Sequence, residues 1–150
     1  MYYDAVKNDH GFQYDPFKAI VAPRPIGWVS SMSASGQANL APYSYFNSFA
    51  QDPHYVAFGS GAGKDSHRNI EATGEFAFSL ATFDLREKMN ATSAHVREDE
   101  FVLAGLTKAP CRTIKVPRVA ESPAALECRL FQIVPLPGDD GSVENVLIIG

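Results

Sequence analysis

A basic surplus is the first thing this 150-residue sequence lacks: 17 Asp and Glu outnumber 13 Lys and Arg, leaving a net charge of −4. Nucleic-acid carriers usually present a basic stripe, so nucleic acid is not expected as a partner. Cysteine is scarce too. Cys111 and Cys128 form neither a C-x-x-C pair nor a zinc-ligand spacing and read as free thiols. The four histidines (His10, His54, His67 and His95) are scattered, outside H-x-H or H-E-x-x-H spacing, so no protein metal site is expected. No apolar run reaches the ~18 residues of a membrane span. The opening M-Y-Y-D-A-V-K-N-D-H is not the basic-then-apolar layout of a secretion signal, which makes the cytoplasm the expected compartment.

Proline and glycine are plentiful, at 10 and 11 residues, and cut the chain into short pieces. That suits one β-rich domain spanning residues 1–150. Ile26–Ser33 reads as a strand. Ala34–Gln37 follows as a turn with Gly36 free to take positive φ, and Ala38–Leu40 begins the return of a hairpin. Tyr43–Phe49 is aromatic and polar and ends at Asp52-Pro53; Tyr55–Gly59 is another strand. Asp65–Thr73 reads as a helix, capped by Asp65 or Ser66 and stopped by Gly74. Glu75–Ala81 is a strand. Leu85–His95 carries Leu85, Met89 and Thr92 at helical spacing. Phe101–Ala109 is mixed and Pro110–Pro123 irregular. Ala124–Val134 alternates as one long strand, with Leu126, Cys128, Leu130 and Gln132 on one face. Pro137–Ser142 is a turn before a last strand, Val143–Ile149. This V-L-I-I-G ending is apolar, and as a sheet edge it calls for cover by further strands or a partner. The pattern fits a small barrel with inserted helices better than a βαβ unit.

Two stretches carry chemistry. Phe58–Ile70 reads F-G-S-G-A-G-K-D-S-H-R-N-I, like a triphosphate loop. The strict G-x-x-x-x-G-K-[ST] motif fails twice, because Phe58 fills the first glycine slot and Asp65 the Ser/Thr slot. What remains suits a different anion. Gly59, Gly61 and Gly63 permit close backbone approach, Lys64 supplies charge, and Ser66 sits at a helix start. Asp65 would repel a phosphate and fits better as a cap or as a partner of Arg68. Upstream, Pro23–Asn47 mixes Trp28, Tyr43, Tyr45 and Phe46 with Ser30, Ser31, Ser44 and Asn47, a combination of apolar walls and short polar groups that suits a flat ring. Residue types alone leave open a plain aromatic core and a solvated charge run.

Together P-R-P-I-G-W-V-S-S, N-L-A-P-Y-S-Y-F-N, G-K-D-S-H-R-N-I and E-F-A-F-S-L resemble the flavin reductase-like family of FMN-binding split β-barrels, which includes flavoredoxin. E-D-E-F-V-L-A-G-L-T, P-R-V-A-E-S-P-A-A-L-E-C-R-L and V-L-I-I-G extend the similarity over nearly the whole chain. The resemblance implies a mainly β, Greek-key split barrel with short helices that binds FMN. It also implies a homodimer with the flavin near the interface, NAD(P)H as electron donor, and a monooxygenase or electron-transfer protein as partner. Trp28, Val29, Ser30 and Ser31, with Ser44, Phe46 and Asn47, match the segments along the flavin ring and ribityl chain. Ser60, Lys64, Asp65, Ser66 and Asn69 match the phosphate loop and helix start. Family chains run longer by some tens of residues, so this one is expected to lack C-terminal strands. No catalytic side chain is assigned; His95 suits a proton donor by residue type only. The alternatives are an FMN electron carrier served by a separate reductase, a split-barrel oxidase of a pyridoxine phosphate, and a structural barrel.

Overall fold

The first apolar run becomes β1 (Gly27–Met32), which turns back into β2 (Ala38–Tyr43) with Gly27 opposite Tyr43 and Met32 opposite Ala38. Gly36 holds the turn at φ +88°, a region an L side chain rarely enters. The computed structural model describes residues 2–94 and 98–150. β3 (Phe46–Gln51) and β4 (His54–Gly61) form a second hairpin, with a register shift between Ser48 and Ala50. A short N-terminal helix, α1 (Phe17–Ile20), precedes them all. α2 (Asp65–Thr73) follows β4 and ends as expected on Gly74 at φ +72°, whose N–H reaches the Ile70 carbonyl at 2.8 Å. Next come β5 (Glu75–Leu80), a 3₁₀ turn at Phe83–Leu85, α3 (Arg86–Ala91) and α4 (Glu100–Leu103). β6 (Lys108–Ala109) and β7 (Arg118–Val119) pair with each other. β8 (Ala125–Arg129), β9 (Gln132–Pro137) and β10 (Val143–Ile149) complete the fold.

Beside the β6-β7 pair, two four-stranded antiparallel sheets result, ordered β2-β1-β5-β8 and β3-β4-β10-β9. Between them lies a core containing Val29, Tyr43, Val56, Phe58, Phe76, Cys128, Val146 and Ile148, with Ile70 of α2. A second core contains Trp28, Leu40, Phe101, Leu106 and Val119, and Leu85 and Met89 pack against it. Neighbouring residues in a strand point to opposite faces, so Val29 enters the first core and Trp28 the second. The first sheet is therefore covered on both faces, and β1 is buried from Gly27 to Ser31.

Four expectations are corrected. Ala124–Val134 is two strands: β8 pairs with β5 in one sheet and β9 with β10 in the other. The crossing falls at Leu130 and Phe131, whose N–H groups go to the carbonyls of Gly74, just before β5, and Ile149 of β10, both at 2.8 Å. Cys128, Leu130 and Ile133 all meet the same core, so the alternation changes phase at the crossing. The last strand is not an edge, since β10 is hydrogen-bonded to β4 on one side and β9 on the other. The helix expected over Leu85–His95 ends at Ala91, where Thr92 Oγ1 bonds back to the Met89 carbonyl at 2.7 Å; His95 lies outside the described residues. Finally, neither Asp65 nor Ser66 caps α2: the cap position is Lys64, without a side-chain cap bond, and Asp65 pairs instead with Arg68 one turn on.

Candidate functional site

The chain leaves the first sheet for the second at Ser44-Tyr45, and leaves β4 for α2 at 62–64. Both junctions border one groove of about 840 Å³. Its walls include Tyr45, Phe46 and Phe49, the backbone at Gly59 and Gly61, and Lys64. Leu136, Asn145 and Leu147 of β9 and β10 add a further wall, and residues 18–25 another. Phe46 stacks on Phe78 at 4.8 Å with 10° between the rings. It also lies against Gly27, where a Cβ would meet the ring at 2.5 Å. Gly27 is thus a seat for Phe46.

A second cavity of about 330 Å³ adjoins the first and shares Pro42, Tyr43 and Lys64 with it. Ser66 lines it, buried at 1% exposure, and its Oγ accepts from Asn39 Nδ2 at 2.9 Å. The N–H groups of a helix's first turn have no intrahelical carbonyl to reach, so the start of α2 offers donors to an anion. The loop leading there is held firmly. Gly63, at φ +76°, donates its N–H to His67 Nδ1 at 3.0 Å and receives Arg68 Nη1 on its carbonyl. Ala62 N–H bonds the Glu144 carbonyl at 2.8 Å. Arg68 also pairs with Asp65, which offsets that carboxylate's charge beside the site. Lys64 is exposed and borders both cavities, and among the described residues no carboxylate lies within ion-pair distance of it.

Two of the groups lining these cavities are displaced from their ordinary values. Burial pushes the Tyr43 phenol above its ordinary value, while the neighbouring Ser66 and Ser60 hydroxyls pull it down. Burial likewise raises the Glu100 carboxyl, opposed by the Leu40 N–H, which donates to its Oε2 at 3.1 Å.

The groove and the adjoining cavity bring together Ser44, Phe46, Asn47, Ser60, Lys64, Asp65 and Ser66 from the expected set. Asn69 lines a neighbouring cavity with Asp65 and donates to Ser31 Oγ at 3.2 Å. The β1 residues lie elsewhere. Trp28 is fully buried, its Nε1 donating to Thr92 Oγ1 at 3.0 Å. Val29 is core, and Ser30 donates to the Pro117 carbonyl at 2.5 Å. β1 is laddered on both sides from Gly27 to Ser30, so its backbone N–H groups are already committed to neighbouring strands. The residues that sequence reasoning missed are Arg24 of the 18–25 segment, Asn39 behind Ser66, and Asn145 and Leu147. Only Arg24 carried a signal, as the cation inside P-R-P.

The model of the flavin reductase like domain matches residues 21–150. The chain belongs to that family. A Deinococcus radiodurans protein of uncharacterised function is 40% identical over 147 residues, which cover 90% of this chain and 64% of that protein. This flavin reductase-like chain thus spans just under two thirds of that relative's length. Component B of nitrilotriacetate monooxygenase from Bacillus cereus superposes with a TM-score of 0.88 at 31% identity, covering 100% of this chain and 77% of that one. A split-barrel-domain protein from Shewanella frigidimarina superposes at 0.82 and 18% identity, over 100% and 76%. The fold is the split β-barrel, mainly β with short helices. Among the described residues no helix is long and apolar enough to cross a membrane, and no cluster of three or more His, Cys, Asp and Glu side chains is placed to hold a metal.

Proposed function

We propose that this chain binds FMN along the groove and serves as an NAD(P)H-dependent flavin reductase. The observation that carries the reading is that the two cavities share Pro42, Tyr43 and Lys64 as walls. An aromatic- and glycine-lined groove lies on one side, and a buried serine at a helix start lines the cavity on the other. The residues present suit FMN at both ends. Tyr45, Phe46 and Phe49 offer apolar walls to a ring, whereas Lys64, Ser60, Ser66 and the α2 N–H groups offer an ammonium and donors to a phosphate. The pairing of Asp65 with Arg68 removes the main objection to an anion there.

Bound FMN supplies hydride acceptance at its ring, and the protein supplies binding and orientation. Lys64 and Ser66 anchor the phosphate. Ser44, at the sheet junction, and Asn47 of β3 offer polar atoms to the ring edge and ribityl chain. Phe46, locked between Gly27 and Phe78, fixes one wall. With β1 laddered on both sides from Gly27 to Ser30, donors toward the ring come from other groups on the groove wall, Ser44 and Asn47 among them. The likeness to a monooxygenase component B supports a separate oxygenase as the consumer of reduced flavin. A homodimer and a cytoplasmic location form part of the same proposal.

The test is the absorbance spectrum of the purified protein with FMN, followed by addition of NADH or NADPH. Flavin binding with rapid NAD(P)H oxidation is expected. Bound flavin with slow NAD(P)H oxidation assigns an electron carrier instead. Flavin fluorescence left unquenched at micromolar protein refutes the reading.

A further inference from the structure

The segment before β1 forms one side of the groove, yet α1 contains no buried residue, so hydrophobic burial does not hold it there. Arg24 does. Its Nη1 donates to the Lys18 carbonyl and, at 2.8 Å, to the Val21 carbonyl. Its Nε reaches Ser44 Oγ at 3.4 Å, and its guanidinium sits 5.7 Å from the centre of the Tyr45 ring. Arg24 is only half exposed, and Lys18 borders the same groove. Among the described residues no carboxylate lies within ion-pair distance of either cation, in a chain whose net charge is negative. The contacts of Arg24 satisfy part of its guanidinium but bring it no counter-charge, which an anionic ligand supplies.

That anion is not the phosphate assigned to Lys64 and Ser66. Lys18 and Arg24 border only the larger cavity, while Lys64 stands where it meets the smaller one. We propose that Lys18 and Arg24 form a second anion subsite, which takes the diphosphate of the nicotinamide dinucleotide donor. This rests on the FMN reading of the groove, because the donor must share that space with the flavin. A guanidinium fork matches phosphate oxygens, and an exposed lysine adds charge at the rim. Arg24 then acts twice, tying residues 18–21 to the groove wall and positioning the donor.

The test titrates ADP-ribose, which carries the diphosphate but no nicotinamide, into the FMN-loaded protein by calorimetry, beside FMN affinity by fluorescence quenching. In the wild type, ADP-ribose binds and weakens as salt rises. Lys18→Gln raises its Kd about threefold while FMN affinity stays within twofold, and Lys18→Gln with Arg24→Gln raises it about tenfold or more with a flattened salt response. Lys18→Gln alone decides the matter if the double variant does not fold, since Lys18 is exposed and contributes only its carbonyl to the Arg24 bonds. Wild type that binds FMN but not ADP-ribose at millimolar concentration overturns the subsite alone, as do variants with unchanged ADP-ribose affinity. Parallel loss of FMN and ADP-ribose in Lys18→Gln also overturns it, assigning the segment to flavin retention. Wild type that does not bind FMN overturns the groove reading and the subsite with it.

Discussion

Trp28→Phe separates a core tryptophan from a flavin wall, because the two roles predict opposite changes in stability and affinity. The indole is fully buried beneath α3 and α4, and its Nε1 donates to Thr92 Oγ1 at 3.0 Å. Phenylalanine keeps the apolar contact and loses three things. The hydrogen bond contributes about 1 kcal/mol net. Roughly 40 Å² less apolar area is buried, which at ~25 cal/mol per Å² costs about 1 kcal/mol. A void of roughly 40 Å³ at ~24 cal/mol per Å³ costs about 1 kcal/mol more. Thr92 keeps its bond to the Met89 carbonyl, so its hydroxyl proton is not orphaned.

The sum is about 3 kcal/mol, or a fall in Tm of about 6–12 °C for a domain of this size. Differential scanning fluorimetry of the apo protein measures it. FMN affinity, followed by fluorescence quenching, is expected within twofold of wild type, because the side chain points away from the groove. A variant that keeps its Tm and loses FMN affinity refutes the reasoning and returns Trp28 to the flavin site.

Three other perturbations probe the groove and its frame. Lys64→Ala with Ser66→Ala weakens FMN by about 2–4 kcal/mol and leaves riboflavin, which has no phosphate, nearly unaffected; equal weakening of both contradicts the phosphate assignment. Gly27→Ala places a methyl 2.5 Å from Phe46 Cδ2, so it costs about 1–3 kcal/mol in denaturant unfolding and weakens FMN and riboflavin alike by pushing the ring into the groove; retention of both flavin affinities rules out that seat. The Glu127 carboxyl is held at about 2, against an ordinary 4.5, by the Thr113 hydroxyl and the Arg112 and Thr113 N–H groups. Its folded value is depressed, so its stabilisation is present above about pH 4.5 and is lost as pH falls toward 2. Glu127→Gln is expected to flatten Tm against pH across that window, and an unchanged acid limb counts against the assignment.

Local signals were legible wherever one rule decided the outcome. The β1–β2 hairpin follows from a strand, a turn that needs Gly36 at positive φ, and a returning strand. α2 runs from Asp65 to Thr73 because Gly74 stops it. The split of Ala124–Val134 was not legible, because alternation measures only which face a residue presents to its own sheet. At Leu130 the chain changes sheets, and the phase of burial resets for a tertiary reason. The position of β10 was hidden likewise. An apolar strand at a chain end reads as an edge, whereas β9 has already folded back to cover it.

The candidate site divides along the same line. The loop and helix start at 61–66 could be read residue by residue, since positive φ, a charge and a helix terminus are all local requirements. The ring end could not be read that way. A period of two places alternate residues of Trp28–Ser31 on opposite faces, and both faces of that sheet are covered. Serines in such a strand look like ligand groups by type, yet they serve to satisfy neighbours: Ser30 the Pro117 carbonyl, Ser31 the Asn69 amide. A polar side chain is available to a ligand only where no packed layer covers it. The chain is uncovered in this way at Ser44-Tyr45, between the two sheets, and at 62–64, between strand and helix, and the groove spans these two places and side chains of β3, β4 and β10. That is why Ser44–Asn47 and Lys64–Ser66 line adjoining cavities while Trp28, equally suggestive by type, lies behind them.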